Sequence, residues 1–356
     1  MRQPVVVKLG SSLIVDPEGR LRRSLLRHRA REIAELVRSG TPVCVVSSGA
    51  IALGLARLGS KKRLHRLPRL QAASALGQTR LQAAWEEVLN REGLQAAQIL
   101  LTAREIADRT AYVNARNAFA ALHALGAIPI VNENDATATD EISFGDNDAL
   151  AAQVAVLTSA RLLVLLTEAE GVLTRTPDEP GAELIPDGAS IERAVLGRRT
   201  PSGKGGMGSK IVAARMAAEA GIPTVIAGGV GKDVLVPIIA GNPRGTLFSP
   251  TGERPSAFKL WLRFGTPAVG RLHVDDGARR AVAQQGRSLL AVGVVSCEGS
   301  FDVGDGVELV GSDGIPFAKG LAAAGSAELA ARPRGIEAVH RDRLVVYTGQ
   351  HRRESS

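Results

Sequence analysis

Short runs of consecutive apolar residues alternate with stretches of helical spacing over the first two-thirds of the chain. Val5-Val6-Val7-Lys8-Leu9 predicts a buried strand that runs into the turn Gly10-Ser11-Ser12. Helical spacing over Leu21–Arg38 follows and ends at Ser39-Gly40. Further strands are predicted over Pro42–Val46, Ala97–Leu101, Ile128–Val131, Arg161–Leu166, Thr224–Ala227 and Thr246–Phe248. Helices are predicted from Ala50 through Leu58 and over Leu70–Arg91, Ala111–Leu125, Asp148–Leu157 and Ser209–Ala220. Such alternation over roughly 250 residues predicts an α/β fold, a mainly parallel open sheet sandwiched by helices.

The texture changes at Ser249-Pro250-Thr251-Gly252-Glu253-Arg254-Pro255. Beyond it lie short segments, Gly270–Val274, Ser288–Val295, Gly306–Val310, Ile315–Lys319 and Leu344–Tyr347, punctuated by Asp-Gly and Gly-Asp-Gly turns. One helix, Gly277–Gln285, interrupts them. The pattern predicts a small β-rich second domain, a partly closed barrel. The expected organisation is a first domain over residues 1–255, a linker over 256–266, a second domain over 267–350 and a tail over 351–356. A length of 356 residues fits two cores better than one.

Composition narrows the class. The apolar runs are strand-sized, far short of a membrane span, and no secretory signal precedes the first strand. Two distant cysteines, Cys44 and Cys297, make no disulfide framework and fit a reducing compartment, so a cytoplasmic location is expected. The net charge of +8 invites a nucleic-acid reading, but much of it lies in two runs. Arg22, Arg23, Arg27, Arg29 and Arg31 read as the solvated face of a surface helix. In the second, Lys61–Arg69, the stretch Lys61–Arg66 reads as a loop before a helix starting near Pro68, where it could attract an anionic substrate. More telling are the 8 lysines against 36 arginines. In so Arg-biased a chain, a lysine points to a need for a compact ammonium. Lys8, Lys204 and Lys210 all fall in candidate motifs.

The strand Ile128–Val131 leads into Asn132-Glu133-Asn134-Asp135, and Gly145-Asp146-Asn147-Asp148 follows soon after. In open α/β sheets ligands bind at this carboxyl edge. Short amide and carboxylate side chains suit an amino group and a carboxylate, although such residues equally make ordinary turns. Ser47-Ser48-Gly49-Ala50 places small residues and free N–H groups at a helix start, which fits either an anion site or a plain cap. Gly203-Lys204-Gly205-Gly206-Met207-Gly208-Ser209-Lys210 points to phosphate binding. Its order is not that of a P-loop, since Lys210 follows Ser209. Six histidines share no metal-ligand spacing, and no nucleophile elbow or dinucleotide fingerprint occurs.

Taken together, Val-Val-Lys8-Leu-Gly, Val-Ser-Ser48-Gly-Ala-Ile, Val-Asn-Glu-Asn-Asp135, Gly-Asp-Asn147-Asp148 and Gly-Gly-Met207 with Lys210 resemble the amino acid kinase family. Gln98-Ile-Leu-Leu-Thr102 and Val113-Asn-Ala-Arg116 add to the match. From Pro267 onward the chain resembles a PUA domain, as some members of that family carry. The pair of Asx clusters with this tail resembles the branch that phosphorylates the side-chain carboxylate of L-glutamate at the start of proline synthesis. The resemblance implies ATP as donor, Mg²⁺ arriving with the nucleotide and no protein metal cage. It implies that Lys8 and Lys210 flank the transferring phosphoryl group and that Asp148 holds both. Ser48, Gly49, Asn132, Asp135, Asp146 and Asn147 would bind glutamate. Thr167, Glu168, Gly205, Gly206, Met207, Gly208 and Ser209, with Lys8 and Lys210, would contact ATP. Glu168 stands where relatives commonly have Asp, and Lys204 and Gly208 stand where a hydroxyl residue is usual. L-proline as inhibitor, a homo-oligomer and a glutamyl phosphate reductase as next enzyme are also implied.

Two other readings remain. Another member of the family, acting on acetylglutamate, aspartate or carbamate, lacks the support of the tail and the Asx pair. An RNA-binding PUA protein would need a basic tail, yet residues 256–356 hold 13 Lys and Arg against 11 Asp and Glu. Neither RNA nor a membrane is expected as a partner.

Overall fold

The computed structural model describes residues 2–59, 66–137, 147–177, 179–191, 206–242, 244–250, 256–331, 333 and 335–347. The chain divides into two compact units, Met1–Pro250 and Thr251–Ser356.

The first unit is built on a seven-stranded sheet. Its strands are β1 (Val5–Leu9), β2 (Val43–Ser47), β3 (Gln95–Leu101), β4 (Ala127–Glu133), β5 (Leu162–Thr167), β6 (Thr224–Gly228) and β7 (Thr246–Phe248). Their spatial order is β3-β4-β2-β1-β5-β6-β7, parallel except for β7. β1, β2 and β4 are buried at every position, which is why they read as continuous apolar runs. Edge strand β3 mixes exposed and half-buried positions.

The principal helices of this unit are α1 (Arg23–Arg38), α2 (Ala50–Arg57), α3 (Leu67–Asn90), α4 (Arg109–Ala124), α5 (Asn147–Leu157) and α6 (Met207–Glu219). The short helices Ala103–Ala107 and Leu235–Ile239 escape the sequence pattern because each is little more than one turn. α2 and α3 meet backbone to backbone. A Cβ on Gly54 would fall 1.8 Å or less from the Ala73 carbonyl oxygen, at 1.7 Å, and one on Gly77 would lie 1.8 Å from that of Ala50. That contact fixes the height of α3 against the sheet edge.

The arginine run on α1 is not all solvated. Arg23, Arg27 and Arg31 are exposed, but Arg29 is fully buried. Its guanidinium pairs with Glu32 at 3.0 Å and donates to the Gly231 carbonyl, while Glu32 accepts from the Leu235 N–H at 2.8 Å. The loop after β6 covers this face of α1, a partner no local pattern could reveal. Of the run Lys61–Arg69, residues 61–65 lie outside the described residues.

The second unit holds a six-stranded sheet of β8 (Gly270–Val274), β9 (Leu289–Leu290), β10 (Val294–Glu298), β11 (Gly306–Val310), β12 (Pro316–Ala322) and β13 (Glu337–Val346). The order is β10-β8-β11-β12-β13-β9, antiparallel except for the β8–β11 pair. The outermost strands, β9 and β10, are consecutive in the chain and joined by the 3-10 turn Ala291–Gly293, so the sheet curls toward closure. That turn splits the strand expected over Ser288–Val295. The last strand is longer than its apolar end implied, because its middle, Arg341–Arg343, is exposed and charged. Helix α7 (Asp276–Ala283) and the short α8 (Ser326–Ala330) pack on this unit. The segment read as a linker contains helix Ala257–Leu260 and a π-turn over Trp261–Gly265. Lys319, itself buried, donates to the carbonyls of Arg263 and Thr266, and burial lowers its pKa to about 8. Among the described residues no helix is long and apolar enough to cross a membrane.

Candidate active site

β1 sits at the centre of the first sheet, with β2 and β4 on one side and β5 on the other. The chain reverses its direction of travel across the sheet here, which opens a crevice at the carboxyl ends of the strands. Lys8 is the penultimate residue of β1, and its ammonium reaches Asp148 Oδ1 at 2.5 Å. Asp148 lies in the first turn of α5, where a helix N-terminus favours a carboxylate. Its other oxygen accepts from Lys210 at 3.1 Å, and the Ser209 hydroxyl is 2.8 Å away. The three charged side chains are at most 6% exposed. Burial pushes the Asp148 carboxyl up, but the ammonium groups of Lys8 and Lys210 outweigh it and hold the pKa below the usual carboxylate value. Two ammonium groups against one carboxylate leave the triad with net positive charge, suited to an anion.

A chain of amides adjoins the triad. Asn147 precedes Asp148, and its Nδ2 donates to Ser48 Oγ and to Asn132 Oδ1, each at 2.9 Å. Asn132 Nδ2 in turn donates to Gln78 Oε1 at 2.8 Å. Gly49 starts α2 with φ of +110°, a left-handed conformation that favours glycine, and a Cβ there would press on Ile14 and Val15. Behind the cluster, Trp85 donates to Ser47 Oγ at 2.8 Å. Asp135 stands beyond the end of β4, where Ser74 donates to its Oδ2 at 2.7 Å. Burial raises its pKa, and the Ser74 hydrogen bond offsets part of that rise. A cleft of about 400 Å³ opens here, lined among others by Ser74, Gln78, Gln82, Glu133 and Asp135.

On the opposite flank, α6 begins at Met207 after Gly206, which is extended and supplies no side-chain cap. The first N–H groups of this helix, which includes Gly208 and Ser209, therefore need outside acceptors. Thr167 ends β5, and its carbonyl accepts from the Gly229 N–H at 2.7 Å. Glu168 lies on the surface, 3.5 Å from Arg22. Among the described residues no three His, Cys, Asp or Glu side chains group as a metal site.

The fold thus gathers Lys8, Asp148, Ser209 and Lys210 in one cluster and Ser48, Asn132 and Asn147 in another. Asp135 sits beside the cleft, while Thr167 and Glu168 are not bonded to either cluster by the contacts described above. Asp146, Gly205 and Lys204 lie outside the described residues. Sequence reasoning missed Ser74 and Gln78. Both are polar residues four apart on the inward face of α3, which is the signal that could have found them.

The amino acid kinase family signature matches residues 3–228, and that of the PUA domain matches residues 270–342. A glutamate 5-kinase of Pelobacter propionicus is 42% identical, covering 96% of this chain and 97% of its own. One of Anaeromyxobacter dehalogenans is 44% identical, covering 89% of this chain and 86% of its own. Among solved structures, carbamate kinase from Giardia lamblia bound to AMP-PNP covers 70% of this chain and 99% of its own, with TM-score 0.51 and 14% identity. The UMP kinase of Bacillus anthracis covers 70% of this chain and 97% of its own, with TM-score 0.50 and 16% identity. These structural likenesses carry the fold, and the closer relatives carry the group. With a positively charged triad at the carboxyl edge of a parallel sheet and relatives of this identity along nearly its whole length, the chain belongs to the amino acid kinase family, in the group of the glutamate 5-kinases.

Proposed function

We propose that this protein transfers the γ-phosphoryl group of ATP to the side-chain carboxylate of L-glutamate, giving glutamyl 5-phosphate and ADP, the first step of proline synthesis. The observation that carries this reading is the Lys8–Asp148–Lys210 triad beside the Ser48–Asn147–Asn132 amide chain. A carboxylate oxygen attacks the γ-phosphorus as the bond to the β–γ bridging oxygen breaks, so no general base is required. The site must align two anions and stabilise the charge that spreads over the transferring group. Lys8 and Lys210 supply that charge from either side, and Asp148 fixes their positions. Lys8, Thr167, Glu168 and residues 205–210 form the nucleotide side. The uncapped start of α6 fits phosphate oxygens. Asp148 is already matched by two ammonium groups, so a Mg²⁺ ion would be held by the ATP phosphates rather than by this carboxylate, and would supply shielding of their charge.

Ser48, Gly49, Asn132, Asp135, Asp146 and Asn147 form the acceptor side. Asp135 and Asn147 attract the α-ammonium, a group that L-proline shares, which supports competitive inhibition by proline. The acyl phosphate product is prone to hydrolysis, so a reductase acting on it is the natural next enzyme. A homo-oligomer and a cytoplasmic location complete the reading. The test is γ-glutamyl hydroxamate formation with ATP across L-glutamate, L-aspartate and N-acetyl-L-glutamate. Selective turnover of L-glutamate is expected, and preference for another acceptor would overturn the assignment.

A further inference from the structure

We infer that Gln78 reads the α-carboxylate of the acceptor amino acid, donating to it from Nε2. The inference rests on the acceptor reading given above and adds a residue that neither the sequence motifs nor that reading includes.

The polarity of the amide chain carries the argument. Both hydrogens of Asn147 Nδ2 are used, one on Ser48 Oγ and one on Asn132 Oδ1. Asn132 therefore presents its nitrogen to the next residue, and Gln78 receives it on Oε1. Gln78 Nε2 is thereby turned away from Asn132, a donor left with no partner among the described residues although it is buried. Three acceptors nearby are in the same condition, Asn147 Oδ1, Asp135 Oδ1 and, one turn further along α3, Gln82 Oε1. Buried polar atoms of this kind are costly unless something satisfies them.

An α-amino acid satisfies the Gln78 nitrogen together with the oxygens of Asn147 and Asp135. Its ammonium has only donors to offer and matches the two oxygens, while its α-carboxylate has only acceptors and matches the Gln78 nitrogen. Gln78 lines the cleft together with Asp135. Ser74, one turn before Gln78 on the same face of α3, holds the far oxygen of Asp135. The position of Gln78 is set in advance, since the preceding Gly77 touches the backbone of α2 and α3 cannot slide. Recognition at the α-carbon is thus separated from the chemistry at the lysines, which leaves the side-chain carboxylate free to meet the phosphoryl group.

The experiment uses the full-length protein and two acceptors, L-glutamate and L-isoglutamine, whose α-carboxylate is replaced by a neutral amide. Gln78→Met should raise the glutamate KM roughly ten- to a hundredfold, the loss expected for a hydrogen bond to a charged group. The ATP KM and kcat should stay within about threefold. The wild-type preference for glutamate over isoglutamine should shrink by a similar factor. Gln78→Glu, of nearly the same shape, should raise the KM further by setting two carboxylates face to face. Circular dichroism and the melting temperature establish that each variant is folded, so a failure of one variant leaves the other. An unchanged preference for glutamate over isoglutamine in a folded variant would overturn the inference. So would wild-type glutamate affinity in Gln78→Glu, which would mean that an oxygen, not a nitrogen, faces the ligand. Absence of glutamate turnover in the wild type would instead overturn the proposed function.

Discussion

Lys8 and Lys210 hold opposite oxygens of one carboxylate, that of Asp148, although one belongs to the first strand and the other to a helix after the fifth. Neither lysine could be buried alone at so small a cost. Each makes the other's position useful, because together they leave a positive charge that a phosphoryl group in flight can meet.

Replacing either lysine by alanine should lower kcat on the order of a hundred- to a thousandfold, the usual loss when one stabilising donor is removed from a transition state. The glutamate KM should change much less. Lys→Arg should not restore the rate, since a planar guanidinium cannot take the place of a compact ammonium. Steady-state kinetics on folded single variants checks this, and near-normal turnover in either alanine variant would exclude that lysine from the chemistry.

The two carboxyls of the site move in opposite directions. Burial raises Asp135, so on acidification it takes up its proton before a free carboxylate would. Asp148 is held low by its lysines and stays ionised over that range. With a depressed folded pKa, the stability it contributes is complete above the ordinary carboxylate value and is lost only as pH falls through the folded value. The acid limb of kcat/KM for glutamate should therefore report Asp135. Asp135→Asn should remove that limb and leave the titration of the substrate's own carboxyl, near roughly 4.3. An identical acid limb in the variant would assign the titration elsewhere.

Arg29 and Glu32 are buried together, and removing one strands the other. Burial lowers the Arg29 pKa and raises that of Glu32, each countered in part by its partner. Arg29→Met should destabilise the first unit by about 3–5 kcal/mol, whereas Arg29→Met with Glu32→Met should recover most of that loss. Urea unfolding of the single and double variants measures the difference. A double variant no more stable than the single would show that packing, not the stranded charge, sets the cost.

A chain ending at Pro250 should fold and phosphorylate glutamate. Every described residue of the proposed site lies in the unit Met1–Pro250, and the segment from Ala257 to Thr266 is tied by Lys319 to the second unit. Hydroxamate formation together with far-UV circular dichroism decides the point. A folded but inactive product would make the PUA domain part of catalysis.

The central strands of the first unit were legible because burial on both faces leaves a continuous apolar run, and Lys8, Asp148 and Lys210 were legible as charges at strand ends and helix starts. The residue types also implied an anion and an amino acid as ligands. What local pattern could not supply was which elements lie side by side. α5 and α6 carry Asp148 and Lys210 to Lys8 only because β5 returns to the far side of β1. Arg29 reads as a surface residue until the loop after β6, far along the chain, covers it. Gln78 reads as one more polar residue of a long helix until the glycine contact between α2 and α3 brings it to Asn132. Periodicity records whether a position is buried or exposed within its own element. The partner of a buried polar group is set by strand order and helix contact, and those exist only in the folded chain.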